Sequence, residues 1–302
     1  MKIVAVKIVF IVEKVAYLWY HLCVEISAFV NLHHFARCCG NTFGSKIMGK
    51  VIAFSNQKGG VGKTTTAINL STYVAMQGKT VLLIDFDPQG NATSGFGLEK
   101  NALEQTTYDV LMGDCSAMEA IRQTMVENLF ILPCNMDLAA AEVDLVNVPS
   151  RESAFKRAIQ PLLEKFDYVF VDCPPSLGLI TLNALVAADS VIIPIQSEFF
   201  ALEGLSQLMN TIKIVKTRLN SKLRINGVVL TMYDTRTTMS KQVTEEIYKY
   251  FGDLIYTKPV PRNIKLVESP SFGIPVELHA PRSTGASAYK ALAEQFLKRE
   301  EQ

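Results

Sequence analysis

The stretch Lys58-Gly59-Gly60-Val61-Gly62-Lys63-Thr64-Thr65 is a glycine-rich loop of the kind that binds the phosphates of a nucleotide. An apolar run of strand length, Val51-Ile52-Ala53-Phe54-Ser55, precedes it, and Thr66-Ala67-Ile68-Asn69-Leu70-Ser71 continues it as a helix. The loop therefore lies at a strand-to-helix turn, where backbone N–H groups converge on an anion. From this motif we predict a nucleotide site at the end of a buried strand.

Two lysines flank the glycines of this loop. Lys63 can reach the β- and γ-phosphates of a nucleotide, and the Thr64 hydroxyl can ligate Mg²⁺. A standard loop carries glycine at position 57, whereas this chain has Gln57 followed by Lys58. One lysine suffices for phosphate binding, so Lys58 is either a solvated loop lysine or has a separate function.

The two-lysine loop resembles that of the deviant Walker-A ATPases, the family of the ParA/Soj partition proteins, MinD and the nitrogenase iron protein. The resemblance runs from about Met48 to the C-terminus and is close to the Soj-type partition ATPases. In that family the early lysine, here Lys58, crosses a dimer interface and contacts the nucleotide of the other subunit. The resemblance implies a P-loop fold, ATP and Mg²⁺ as cofactors, ATP hydrolysis, and a homodimer that forms on ATP binding. It assigns these loop residues to the nucleotide: Lys58, Gly59, Gly60, Val61, Gly62, Lys63, Thr64 and Thr65.

A second motif, Leu82-Leu83-Ile84-Asp85-Phe86-Asp87-Pro88, is an apolar strand that ends in two carboxylates. Alternation places Asp85 and Asp87 on the same strand face if the strand extends that far. Two unpaired carboxylates repel each other unless a cation or water lies between them. The other interpretation is a capped turn, since Asp-Pro commonly opens one. The resemblance implies that Asp87 positions the attacking water and that Asp85 belongs to the outer shell of the metal.

A third motif is the apolar strand Tyr168-Val169-Phe170-Val171-Asp172, followed by Cys173-Pro174-Pro175. It resembles the Walker-B strand of the family, whose aspartate holds Mg²⁺ through water. The alternative role for Asp172 is that of a helix N-cap. The two prolines stiffen the next turn, which in the family senses the γ-phosphate. The expected metal ligands are thus Thr64, Asp85 and Asp172, and the expected catalytic residues are Lys58, Lys63 and Asp87.

The stretch Val260-Pro261-Arg262-Asn263 occupies the place where the family holds the adenine. Pro261 offers a flat apolar contact, and Asn263 offers both a donor and an acceptor to the base edge. Taken without the family, these residues predict only a turn.

Apolar runs of strand length recur along the chain at 51–55, 80–85, 129–132, 167–172, 190–195, 225–231 and 254–260. Segments of helical period lie between most of them, such as 201–219, and a last helix is predicted at 287–300. Continuous apolar strands that alternate with helices are typical of an α/β protein with a doubly wound, mostly parallel sheet and helices on both faces. Ligands of such sheets bind beyond the carboxyl ends of the strands.

Residues 1–47 differ from the rest of the chain. They carry a formal net charge of +3, and since the whole chain carries +1, residues 48–302 carry −2. A membrane span needs about 20 consecutive apolar residues, and charged side chains interrupt every such window: Lys7, Glu13, Lys14 and Glu25. Lys7 also breaks the stretch that a secretory signal needs, and His33-His34 lacks metal-ligand spacing. We interpret 1–47 as an extension that is disordered or arises from a start site upstream of Met48, with membrane or targeting use as the alternative. Residues 48–302 are then the ATPase domain.

Composition places further limits on function. A net charge of +1 gives no overall attraction to nucleic acid, so any DNA contact requires a local basic patch. The six cysteines include no C-x-x-C pair, which argues against a zinc site. Cys115, Cys134 and Cys173 are expected to be small buried apolar residues in a reducing compartment.

The resemblance also implies what the ATPase acts on. The family's ATP dimer binds DNA nonspecifically and drives chromosome or plasmid segregation, and a ParB/Spo0J-type protein stimulates hydrolysis. Thr231-Met232-Tyr233-Asp234-Thr235-Arg236 matches the stretch that carries a DNA-contacting arginine, Arg236. Lys265 matches a second basic position where arginine is usual, and lysine keeps the charge without the planar fork. The alternative for each is a solvated surface charge. A cytoplasmic, nucleoid-associated protein with no membrane partner is expected.

Three other functions compete with this one. A MinD-like positioning ATPase ends in a basic amphipathic helix that binds lipid, whereas the short tail after the last predicted helix here carries Glu300 and Glu301. A redox iron protein needs bridging cysteines, and Cys134 and Cys173 do not match its motifs. A scaffold that binds ATP without hydrolysis would not need Asp87. The MinD-like function is retained as the alternative.

Overall fold

The computed structural model describes residues 48–197, 201–234, 236 and 238–301. The interpretations of residues 1–47 as an extension, a leader or a targeting segment lie outside the described residues, and they stay predictions. No helix in the described ranges has the length and apolar character needed to cross a membrane.

Seven strands of the described chain form one sheet in the order β3-β4-β2-β5-β1-β6-β7. The strands are β1 Lys50–Phe54, β2 Val81–Asp85, β3 Arg122–Gln123, β4 Leu129–Leu132, β5 Tyr168–Asp172, β6 Ser190–Gln196 and β7 Arg224–Thr231. Every pair is parallel except β3 with β4. The doubly wound, mostly parallel sheet predicted from the apolar runs is confirmed.

Twelve α-helices lie between and after the strands in the described part of the chain. They are α1 Lys63–Met76, α2 Asn91–Gly95, α3 Thr107–Met112, α4 Ala117–Ala120, α5 Ala141–Asp144, α6 Ala154–Ile159, α7 Leu179–Ala187, α8 Ala201–Arg218, α9 Thr238–Phe251, α10 Ile264–Glu268, α11 Val276–His279 and α12 Thr284–Glu300. Short 3₁₀ turns connect several of them, at Lys100–Ala102, Met136–Ala140, Leu145–Asn147, Arg151–Ser153, Gln160–Leu162, Gly252–Leu254 and Ser269–Phe272. The helices predicted at 201–219 and 287–300 correspond to α8 and α12.

The central strands are buried on both faces, which explains their uninterrupted apolar sequence. In β1, Ile52 and Phe54 join the core cluster under α1 and α12, whereas Val51 and Ala53 point to the opposite face and are equally buried. The stripe predicted for the last helix packs into that cluster through Tyr289, Leu292, Phe296 and Leu297.

Two parts of the sheet differ from the sequence-based expectation. The run 254–260 is not a strand, because only isolated bridges join Ile255 to Val228 and Pro261 to Tyr233. Pro259 and Pro261 lack the N–H that a ladder needs. The two-residue edge strand β3 was not predicted, since its sequence, Arg122-Gln123, is polar and too short to show a period.

Candidate functional site: a nucleotide pocket beside a basic groove

The glycine-rich loop joins β1 to α1, as the sequence predicts. Gly60 and Gly62 have φ values of 73° and 84°, a left-handed conformation that side chains other than glycine rarely adopt. Asn56 holds the start of the loop, because its amide donates to the Pro194 carbonyl and its oxygen accepts from the Lys58 N–H. The Thr231 hydroxyl at the end of β7 donates to the Val61 carbonyl at 2.7 Å. The loop is therefore pinned by β6 and β7 in the shape that aims its amides at an anion.

Lys63 begins α1 and is buried, with its ammonium donating to the Lys58 carbonyl at 3.3 Å. Burial lowers the pKa of this lysine, while the nearby Asp172, Cys173 and Asp87 act in the opposite direction. A cationic group held in a desolvated loop interacts strongly with a phosphate that replaces water there. Lys58 is half-buried in the same loop, and Gly59 and Gly60 are exposed.

Asp172 ends β5, and both of its carboxylate oxygens are fully buried without a hydrogen-bond partner among the described residues. Burial and the neighbouring Asp85 raise the pKa of Asp172 well above its ordinary value, against the effects of the Thr64 hydroxyl and Lys63. A buried carboxylate without a partner is costly and indicates a missing cation or water.

Asp85 faces Asp172 across the β2–β5 pair. The Thr93 N–H and hydroxyl each donate to its Oδ2 at 2.7 Å, so the carboxylate anchors the start of α2. Burial raises the pKa of Asp85 to about 6, although the Thr93 hydrogen bonds oppose this shift. Because these bonds engage Asp85, the structure favours an outer role beside the metal rather than direct ligation.

Asp87 is buried but lies beyond β2, which ends at Asp85. Its N–H donates to Asp85 Oδ1 at 3.3 Å, and its own Oδ1 accepts from the Gln89 N–H at 3.0 Å. The premise that the strand extends to residue 87 is therefore wrong, because the chain turns at Phe86. The turn nevertheless keeps the second carboxylate close enough to act on Lys63.

The residues at the strand ends fit a magnesium ion that arrives with a nucleotide. Mg²⁺ in such sites takes one or two protein ligands and completes its shell with phosphates and water. The Thr64 hydroxyl would ligate such an ion, and the buried oxygens of Asp172 beside it would hold the ion directly or through water. No group of three or more His, Cys, Asp or Glu side chains suited to an ion occurs in the described ranges.

A cavity of about 390 Å³ adjoins the loop and brings Gly62 and Thr65 together with Pro261 and Asn263. Asn263 is less free than the sequence indicates, because its oxygen accepts from the Lys265 N–H at the start of α10 and its amide donates to the Thr284 hydroxyl. One lone pair and one N–H remain for a base edge. The apolar walls of this cavity come from residues that the sequence analysis did not assign to the nucleotide: Met232, Val260, Leu266, Val267, Pro270 and Tyr289.

A second cavity, of about 640 Å³, lies beside the first, and the two share Pro261 and Arg262. We call it the basic groove. Four cationic residues line it: Arg236, Lys258, Arg262 and Arg282. Arg236 was predicted from the sequence as a DNA contact. Arg262 was noted only as part of the adenine motif, and Lys258 and Arg282 belong to no motif.

Lys265 does not line the basic groove. Its ammonium pairs with the Glu268 carboxylate at 2.8 Å on α10, and Glu268 also contacts His279. The structure thus separates the two predicted DNA contacts, and the role of Lys265 stays a prediction.

The cysteines of the described chain largely match the expectation. Cys134 and Cys173 are buried, and burial raises the pKa of both thiols. Cys115 is half-buried rather than buried, because it lies in the exposed turn between α3 and α4.

Comparisons with known proteins agree with this site. A protein-family profile described as an AAA domain matches residues 49–225. The sporulation initiation inhibitor protein Soj of Bacillus subtilis (strain 168) is 54% identical over 248 residues, which cover 82% of this chain and 98% of Soj. The chromosome partitioning protein ParA of Myxococcus xanthus (strain DK1622) is 48% identical over 253 residues, covering 84% of this chain and 89% of that protein.

A solved structure with similar architecture is cobyrinic acid a,c-diamide synthase from Mycobacterium smegmatis, which holds ADP and magnesium. It is 38% identical with a TM-score of 0.74, and the match covers 84% of this chain and 96% of that one. The pinned loop, the strand-end carboxylates and these similarities together show that the chain belongs to the AAA-domain family and, within it, to the ParA/Soj-type ATPases.

Proposed function

We propose that this chain is an Mg²⁺-dependent ATPase that dimerises on ATP binding, binds DNA nonspecifically, and uses hydrolysis to drive chromosome or plasmid segregation. One observation carries the DNA part of the proposal. Pro261 and Arg262 line both the nucleotide cavity and the basic groove. A nucleotide in the first cavity would therefore contact residues that also line the second.

Hydrolysis of ATP needs positioning and charge neutralisation more than covalent help. The loop amides and Lys63 neutralise the phosphates from one side. Thr64 and Asp172 would hold Mg²⁺, which would supply further positive charge to the phosphates. Asp87 lies beside Lys63, and its carboxylate can orient a water for attack.

Dimerisation would complete the site. The exposed tip Gly59–Gly60 leaves the outer side of the phosphates open to a second chain. Lys58 of that chain would bring a second cation to the γ-phosphate, as the family resemblance implies. ATP then favours the dimer and hydrolysis releases it, which makes the assembly a switch.

Charge distribution supports binding of a polyanion at the basic groove. Residues 48–302 carry a formal net charge of −2, so a cluster of four cations on one surface is a local feature and not a consequence of composition. Cationic side chains that contact phosphates give affinity without sequence preference. A dimer would present two such grooves. A ParB-type protein as the stimulator of hydrolysis, and association with the nucleoid, are parts of the same proposal that rest on the family.

The MinD-like alternative is less well supported by the last helix. The apolar face of α12 is already buried through Tyr289, Leu292 and Phe296. Near its end Glu300 is buried and pairs with Lys50 and Arg224. The described end of the chain therefore has no apolar stripe to offer to lipid.

A salt titration of duplex binding tests the proposal. The protein would carry Asp87→Ala to hold the ATP state, and random-sequence duplex binding would be measured with ATP and Mg²⁺ from low to high salt. The affinity should fall with a slope of about −0.9 per phosphate contact on a log–log plot, and Arg236→Ala should weaken binding and flatten that slope.

Lys249→Ala is the matched control, since Lys249 is an exposed, ion-paired cation on α9 outside the groove. A dimer that ignores duplex at low salt, or equal effects of Arg236→Ala and Lys249→Ala, would overturn the DNA assignment and leave an ATPase with another cargo.

A further inference from the structure

The basic groove contains one acid. Among the described residues that line it, Asp234 is the single carboxylate beside the four cations. Its Oδ1 accepts from the backbone N–H and from Nε of Arg236 at 3.0 and 2.9 Å, and its Oδ2 accepts from Nη2 at 2.7 Å. This fork-on-fork geometry is the one in which guanidinium binds carboxylate or phosphate most strongly.

The pairing occupies the Nε–Nη2 edge of Arg236, which is one of the two edges at which a guanidinium can donate two hydrogen bonds to a phosphate. The Arg236 side chain is 85% exposed, so a ligand can reach it, whereas the Asp234 side chain is 25% exposed. Hydrogen bonds from Arg236, with a smaller effect of Arg262, hold the pKa of Asp234 well below its ordinary value. The carboxylate is therefore charged throughout the neutral range, and protonation does not release the arginine.

We propose that Asp234 is a built-in counter-ion of the basic groove, which competes with a DNA phosphate for the Nε–Nη2 edge of Arg236, offsets the charge of that side chain, and thereby limits the affinity for DNA. This inference rests on the proposed DNA-binding function and adds a residue that sets its strength. A phosphate presents a similar pair of acceptor oxygens and a similar charge, so it competes with Asp234 for the guanidinium. A groove of cations without this acid would hold DNA more tightly and release it more slowly.

Competition between Asp234 and a phosphate for Arg236 should change the salt dependence of DNA binding. When a phosphate takes the Nε–Nη2 edge of Arg236, the DNA releases a counterion, but Asp234 loses its ion pair with Arg236 and its charge attracts a cation from solution. The cation that Asp234 takes up offsets the counterion that the DNA releases. Arg236 therefore contributes less to the salt dependence of DNA binding than an arginine without an ion pair would. Removing the carboxylate should restore the full contribution, a slope steeper by up to about 0.9 per chain.

The position of the pair also connects it to the nucleotide. Thr231, three residues before Asp234, donates to the Val61 carbonyl of the phosphate loop. Between them Met232 has a φ of 49°, a left-handed conformation that is unfavourable for a residue other than glycine, and it lines the nucleotide cavity. The segment that carries the counter-ion therefore starts at the loop that binds ATP.

The test compares Asp234→Asn with the parent protein, both in the Asp87→Ala background with ATP and Mg²⁺. Asparagine keeps the shape and removes the charge. Duplex affinity should rise by about twofold to fivefold per chain, the range expected for loss of an exposed competing ion pair. Asp253→Asn is the matched control, because it removes an equal charge from an exposed position outside the groove. Asp234→Ala is a second variant with the same expected sign, and retained ATP binding shows that each variant is folded.

A double-mutant cycle isolates the pair. In an Arg236→Ala background, Asp234→Asn should give little further gain, because the arginine that it competes for is gone. An equal gain with and without Arg236, or an equal gain from Asp253→Asn, would show a general charge effect and overturn the inference.

Elution from heparin separates this inference from the proposed function. If duplex binding occurs but both Asp234 variants bind duplex and elute from heparin like the parent, the counter-ion inference fails and the DNA assignment stands. If no variant binds duplex yet the Asp234 variants elute from heparin at higher salt, the groove is a polyanion site with a built-in counter-ion and the DNA assignment fails.

Discussion

Gly59 is the position where the proposed dimer can be perturbed with the least change to the protomer. A Cβ added at Gly59 meets only the Pro175 Cβ, at 3.9 Å, which is ordinary van der Waals contact. The neighbouring Gly60 and Gly62 have positive φ values, but Gly59 does not. We therefore expect Gly59→Val to change the free energy of unfolding by no more than about 1 kcal/mol.

The same valine should be costly between two chains. Gly59 is exposed at the loop tip, and in the proposed dimer the partner's loop approaches this surface across the phosphates. Extra methyl groups in a closely packed contact cost about 1–3 kcal/mol. Since each 1.4 kcal/mol is a factor of ten, the ATP-dependent dimer should weaken by about 5-fold to 150-fold. Binding of ATP to the monomer should persist, because the amides, Lys63 and Thr64 are unchanged.

Light scattering over a concentration series with ATP and Mg²⁺ measures the dimer, and a fluorescent ATP analogue measures nucleotide binding. Gly204→Val on α8 is the control, since a Cβ there meets nothing within 4 Å. A Gly59→Val dimer as tight as that of the parent would refute the placement of the loop tip at a subunit contact. Loss of ATP binding by the Gly59→Val monomer would refute the claim that the protomer accepts a side chain here.

Three further outcomes are expected. Lys63→Ala should abolish nucleotide binding, whereas Lys58→Ala should leave much of the monomer's nucleotide binding and remove dimerisation and ATP turnover. Equal behaviour of the two variants in binding and hydrolysis assays would contradict this division of roles. Asp87→Ala should trap the ATP-bound dimer, because phosphate contacts persist without an oriented water, and unchanged phosphate release would count against it. Asp172→Asn should stop hydrolysis yet stabilise the metal-free, nucleotide-free protein by about 1–3 kcal/mol in urea, because a buried carboxylate without a partner is removed. The gain in the free energy of unfolding should grow as the pH rises. The raised pKa of Asp172 favours folding of the parent protein only while this carboxyl is protonated, so the parent loses stability when the group ionises and the variant does not. A stability difference that is negative or does not change with pH would refute this prediction.

The sequence predicts the elements on which the site depends most directly. Residues 51–54 and 168–171 are continuous apolar runs because both faces of their strands are buried, and such runs identify central parallel strands. Parallel strands bring their carboxyl ends to one edge, so the loop after β1, Asp85 and Asp172 could be expected to meet. After Asp85 the sequence left two interpretations open, a longer strand and a turn at Asp87-Pro88, and in the structure β2 ends at Asp85, whose carboxylate is bonded by Thr93.

The basic groove could not be predicted from the sequence for a different physical reason. Lys258 and Arg282 are single cations on surface turns, and each alone has the pattern of a solvated charge. The fold brings both of them into one cavity with Arg236 and Arg262. The run 254–260 was misleading because its hydrophobicity reflects burial of Ile255 and Val260 rather than strand pairing.

A carboxylate on α5 contacts the helix that follows the turn after β5. Glu142 accepts from the N–H groups of Leu179 and Ile180 at 3.0 and 3.3 Å, so it caps the start of α7. That helix follows the turn after Asp172, while α5 follows the 3₁₀ turn whose Met136 sulfur accepts from the Gln89 side chain. The Glu142 carboxylate also fills the space that a side chain at Gly178 would need. Because this one charged contact holds α5 to the start of α7, a displacement of the turn after β5 must carry α5 with it or break the contact.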